Sequence, residues 1–151
     1  MTSHIIIRRY PYEEPYHIHI EITASNGNFT ASTDIYCNVE DLRVIGESLI
    51  SFPQKIGDIY VYEYGSEDPT ERWYRYFSLK AYTIDQSGHS ALQIKINKNE
   101  KEPNEGIATF SIKSDPSEIN ILGKLFVEFS NLKHLELHWG IDNCLFEKHI
   151  Y

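Results

Sequence analysis

Two stretches of this chain carry the same helix signature, and their pairing constrains the fold more than any other feature. The first opens on Asn38-Val39-Glu40-Asp41-Leu42. An Asn can cap the first turn, and the carboxylates that follow sit where the helix dipole favours negative charge. Apolar residues then recur at Leu42, Ile45, Leu49 and Phe52, and Pro53 ends the segment. The second opens on Asp115-Pro116-Ser117-Glu118-Ile119, with an Asp cap, Pro at the first helical position and Glu at the third. Its stripe is Ile119, Leu122, Leu125, Phe126 and Phe129. One constant offset lays Leu42 on Ile119, Gly46 on Gly123, Leu49 on Phe126 and Phe52 on Phe129. A mid-helix glycine costs about 1 kcal/mol relative to alanine. One at the same point of each stripe is expected where both helix backbones press closely onto a sheet.

The strand signals repeat as well. IIIRRY, HIHIEIT and NFTASTDIY precede the first helix, with Asn26-Gly27 as a hairpin turn between the last two. RYFSLKAYTI, ALQIKIN and GIATFSIK precede the second, separated by a turn around Ser87-Gly88 and the polar loop KNEKEPNE. DIYVYEYG and HLELHW follow the two helices. Each half therefore reads β-β-β-α-β. The predicted fold is α+β: a duplicated unit, a mostly antiparallel sheet of about eight strands, and two helices on one face. All 151 residues form one domain, with repeat one over about 4–65, a linker over 66–71, repeat two over about 72–140 and a tail over 141–151.

Alternation assigns the faces. Ile18, Ile20 and Ile22 point one way, and His17, His19 and Glu21 the other. Leu92, Ile94 and Ile96 are core, opposite Gln93, Lys95 and Asn97; Leu135, Leu137 and Trp139 oppose His134, Glu136 and His138. Ile59–Tyr64 is apolar or aromatic on both faces, as expected of a central strand, with Tyr60, Tyr62 and Tyr64 on one side.

Composition narrows the function classes. The hydrophobic fraction of 41% and charged fraction of 24% are those of a folded domain. The net charge of −8, from 22 acidic and 14 basic residues, repels polyanions and favours a basic partner. No nucleic-acid partner is expected. No apolar run approaches the roughly 20 residues that cross a bilayer, and MTSHIIIRRYPY lacks the order of a signal peptide. Two cysteines, Cys37 and Cys144, suit a reducing compartment, so a cytoplasmic protein without membrane contact is expected. The sequon Asn28-Phe29-Thr30 carries no weight without export.

Three groupings invite chemistry. His17, His19 and Glu21 share a strand face, as do His134, Glu136 and His138, and histidines two apart on a strand can hold zinc. The same spacing is what any solvent face alternating with Ile or Leu would show. Cys37 precedes the first helix cap, where the dipole could lower its pKa, although a small buried residue is commoner there. Tyr10-Pro11-Tyr12 with Tyr16, and Trp73-Tyr74-Arg75-Tyr76, are aromatic clusters of the kind that dominate interface hot spots or pack across strands. No nucleophile elbow, Walker loop or H-E-x-x-H is present, so neither a catalytic residue nor a cofactor is expected.

The two helix patterns, L-x3-G-x2-L-x2-F over Leu42–Phe52 and I-x3-G-x2-F-x2-F over Ile119–Phe129, resemble those of small bacterial α+β proteins of unknown function. Some of these are immunity proteins of polymorphic toxin systems. The resemblance implies a non-enzymatic inhibitor that binds a partner toxin through an acidic or aromatic surface, and it assigns no residue. The expected contact surface is Glu67, Asp68, Glu71, Arg72, Trp73, Tyr74 and Tyr76, because this stretch joins the two repeats. The rival reading is a metal- or small-ligand-binding domain, or an enzyme, built on the His/Glu strand faces.

Overall fold

A computed structural model describes residues 3–12 and 14–150. Among these, nine strands and two helices follow in the order β1 (His4–Tyr10), β2 (His17–Ser25), β3 (Thr30–Asn38), α1 (Val39–Ile50), β4 (Ile59–Tyr64), β5 (Tyr76–Thr83), β6 (Ser90–Asn97), β7 (Ile107–Lys113), α2 (Pro116–Phe129), β8 (Glu136–Trp139) and β9 (Cys144–Phe146). The fold is α+β and antiparallel, with the strands divided between two sheets of order β3-β2-β1-β8-β9 and β4-β5-β6-β7.

The order shows how the repeats interlock. The fourth strand of each unit leaves its own three and joins the other unit's: β4 pairs with β5, and β8 pairs with β1. Neither half can complete a sheet alone, which makes one continuous core. Ile7, Ile20 and Ile35 of one sheet, Phe77, Leu79 and Ile94 of the other, and Leu42, Ile45 and Phe126 of the helices surround a single void of about 20 Å³.

Both helices start as their sequences dictate. The Asp41 carboxylate accepts from the Asn38 N–H at 3.3 Å, and that of Glu118 accepts from the Asp115 N–H at 2.8 Å, so each cap closes reciprocally. The glycines need a correction. Gly46 and Gly123 do not face a sheet; they face each other. A Cβ on Gly46 would stand 2.7 Å from the Gly123 carbonyl oxygen and 2.8 Å from the Val127 nitrogen. One on Gly123 would stand 2.7 Å from the Gly46 carbonyl oxygen and 2.6 Å from the Ile50 nitrogen. The duplicated glycines let the two helix backbones cross at contact distance.

Two face assignments also change. β4 carries a central strand's sequence but lies at the edge of its sheet. On β8 all four residues are buried, Glu136 and His138 included. They are covered by β9 and by the segment leading to Ile150, whose N–H donates to Glu136 at 3.0 Å. The tail is thus partly a strand, and its last residue, Tyr151, lies outside the described residues. Cys37 is buried, and burial with the nearby Asp41 charge pushes its thiol up to about 12, the reverse of activation by a helix dipole. Cys144 is exposed, and both cysteines are free.

Candidate interaction surface

The connection between β4 and β5, residues 65–75, joins two neighbouring strands of the four-stranded sheet and is held at both ends. Gly65 has φ +80°, and a Cβ there would collide with the Arg75 carbonyl, so the strand end and the loop's return touch backbone to backbone. The Asn99 amide donates to the carbonyls of Ser66 at 2.9 Å and Trp73 at 3.2 Å, which pins the loop to the β6–β7 side. Within it, the Asp68 carboxylate accepts from the Thr70 N–H at 2.9 Å and hydroxyl at 2.8 Å, which holds its pKa down. Glu67 accepts from Asn97 at 3.0 Å and pairs with Lys95 at 2.9 Å; both lower its pKa, Asn97 the more.

The two exposed aromatics on this loop point to different places. Trp73, 45% exposed, meets Tyr64 edge-on at 5.5 Å and lines an open groove of about 820 Å³. Glu67, Asp68, Arg72, Asn97, Asn99, Glu100, Lys101 and Glu105 share that groove. Of its four carboxylates, Glu67 is paired with Lys95, and Glu100 with Arg75 at 3.3 Å and Lys98 at 3.8 Å. Tyr74, 48% exposed, turns to the outer face of the five-stranded sheet. Its hydroxyl donates to the Asp34 carboxylate at 3.2 Å, its ring meets Tyr36 at 5.9 Å, and Arg75 lies over it at 4.1 Å.

On that sheet the register places Tyr10 opposite His19 and His19 opposite Tyr36. His19 stacks on Tyr36 at 4.3 Å with planes 7° apart and contacts Tyr10 at 5.2 Å. Its Nε2 bonds Asp34 at 2.8 Å, and its Nδ1 bonds the Tyr12 hydroxyl. A row of rings therefore runs Tyr10–His19–Tyr36–Tyr74, with Tyr12 beside it. The sequence names Tyr10 with Tyr12, His19 and Tyr74 in three separate groupings and gives no sign of Tyr36. The missing signal was the strand register, which alone aligns residues so far apart.

Of the other expected contact residues, Glu71 and Arg72 are exposed on the loop, Arg72 in the left-handed region with φ 54°. Tyr76 is not a surface residue. It is 7% exposed, and its hydroxyl donates to Glu63 at 2.7 Å. Burial, then Glu63, pushes its pKa up to about 12.

The His/Glu ligand sets are not assembled. β1 lies between β2 and β8, and Arg8 stands in register with both Glu21 and Glu136, 4.0 Å from one and 3.1 Å from the other. The cation between these carboxylates is thus a guanidinium of the chain itself. His138 bonds Glu136 at 2.6 Å, His134 precedes β8 and lends its carbonyl to Arg9, and His17 is exposed at the start of β2. Among the described residues no group of three or more His, Cys, Asp or Glu could hold a metal ion, and no helix is long and apolar enough to cross a membrane.

No protein-family model matches the chain, and no curated protein does. A solved structure of the plant transcriptional regulator PBF-2 is similar, with a TM-score of 0.48 at 10% identity, over 86% of this chain and 76% of that one.

Proposed function

We propose that the protein is a non-catalytic binding module that engages a basic protein partner, as an immunity-type inhibitor would, through the 65–75 connection. The observation that carries this reading is the pair Trp73 and Tyr74. Each is about half exposed, at 45% and 48%, on a loop whose backbone is fixed by Asn99 and by the Gly65–Arg75 contact. Large aromatics held in place before binding lose little entropy on association, which is what a hot spot requires. The net charge of −8 favours a basic partner and disfavours nucleic acid. The two free thiols fit a reducing, cytoplasmic setting.

Affinity capture with the wild-type chain as bait tests this. A basic protein should be retained at low ionic strength and released as salt rises to about 0.5 M, where the Debye length falls to about 4 Å. Trp73→Ala and Tyr74→Ala baits should retain it poorly. Equal recovery by all three baits would place any interface elsewhere, and salt-independent retention would remove the electrostatic part of the reading.

A further inference from the structure

The edge strand β4 carries the residues of a strand paired on both sides. Ile59 and Val61 lie on the outer face of the four-stranded sheet at 60% and 45% exposure, while the inner strands of that face show Ser78, Lys80, Gln93 and Lys95. Edge strands usually show the reverse, with charges or proline at the rim and apolar residues inside. Two more exposed isoleucines, Ile56 and Ile84, extend the apolar strip beside the Ile59–Tyr82 end of the ladder, where the Gly57 N–H donates to the Thr83 hydroxyl at 2.8 Å.

The internal duplication shows what is missing. β8 is the counterpart of β4, and its outward edge is occupied by β9 in antiparallel register, with Leu145 opposite Leu137. Among the described residues no strand does this for β4. Two other edges are occupied in part: the Asn26 amide donates to the Ser111 carbonyl of β7 at 3.3 Å, and Tyr64 reaches the Tyr36 backbone of β3. Along β4, among the described residues, only Asp58 reaches the backbone from outside the sheet, at Ile59.

We propose that β4 of a second copy of the chain fills this position, joining two four-stranded sheets into one of eight strands across a twofold axis. The segment Ile59–Tyr64 suits its own antiparallel pairing. Centred on Val61, it sets Val61 against its copy, Tyr60 against Tyr62 and Ile59 against Glu63. No carboxylate then faces a carboxylate, the opposition that would penalise pairing. Twofold symmetry also requires one patch to complement itself, which this strand does.

Sedimentation equilibrium of the wild type and of Val61→Lys tests the proposal. The wild type should form a reversible dimer, and the lysine should raise the dissociation constant by at least about tenfold with unchanged circular dichroism. Ile59→Lys should act in the same direction and serves if Val61→Lys fails to fold. In the wild type, amide exchange over 59–63 should slow as concentration rises. A wild type that stays monomeric over its soluble range overturns the proposal, as does a dimer that both lysine variants leave intact. Self-association without slowed exchange over 59–63 overturns it too.

Discussion

The carbonyl oxygen of Gly123 lies 2.7 Å from where a Cβ on Gly46 would stand, and the Gly46 carbonyl lies 2.7 Å from a Cβ on Gly123. Each would also meet a backbone nitrogen of the opposite helix, at 2.8 Å and 2.6 Å. Backbone cannot swing aside as a side-chain tip does. Gly46→Ala and Gly123→Ala should therefore each force the helices apart and destabilise the fold by about 1–3 kcal/mol, despite alanine's better helix propensity. Chemical denaturation checks this. An unchanged midpoint in either variant would contradict the crossing contact.

Glu136 is fully buried and accepts from His138 at 2.6 Å, the Ile150 N–H at 3.0 Å and Arg8 at 3.1 Å. Desolvation alone would raise its pKa, but these donors outweigh it and hold the pKa below the usual 4.5. A depressed carboxylate stabilises the fold above its unfolded pKa and loses that contribution as pH falls through the folded value. Glu136→Ala should cost about 3 kcal/mol at neutral pH by leaving Arg8 to Glu21 at 4.0 Å and removing the tail's anchor. Unfolding midpoints from pH 7 down to about 3 should show the wild-type advantage shrinking below pH 4.5. A constant gap would assign the effect to packing alone.

Trp73 and Tyr76 stand three residues apart and should respond oppositely to truncation. Trp73→Ala removes one edge-on ring contact with Tyr64 and should cost about 1 kcal/mol or less. Tyr76→Ala empties a buried site and leaves Glu63 without its donor, so about 3 kcal/mol or more is expected. Thermal or denaturant unfolding of the two variants decides it, and a large loss for Trp73→Ala would make that ring structural.

The thiols should separate cleanly. Cys144 is exposed, whereas Cys37 is buried with its pKa pushed up to about 12. An aromatic disulfide reagent should label one cysteine quickly in the native protein, and Cys144→Ser should abolish that fast phase. Fast labelling that survives in Cys144→Ser would show that β3 opens readily around Cys37.

Local signals made the elements legible, because caps, turn residues and alternation act over a few residues. Asn38, Asp115, Gly27 and the Ile18-Ile20-Ile22 alternation all lie where short-range chemistry sets them. Pairing was not legible. Nothing local in Ile59–Tyr64 says that it joins β5 as an edge strand, or that β8 inserts between β1 and β9. The same gap hid the partner helix of Gly46, the burial of Glu136 beneath the tail, and the row linking Tyr10, His19, Tyr36 and Tyr74. For the contact surface, Trp73 and Tyr74 are exposed in the β4–β5 connection, the exposure expected of the whole 67–76 stretch. Tyr76 departs from it because the first residue of β5 is already sheet.

Placing a photoreactive benzoylphenylalanine at residue 73, and in parallel at Thr109 on the β7 edge, tests the binding role most directly. Irradiated in its native cells, the protein substituted at 73 should yield one dominant adduct with a basic protein, lost when salt is raised before irradiation of the extract. The protein substituted at 109 should yield none. No adduct from position 73, or the same adduct from both positions, would contradict a binding site built on Trp73.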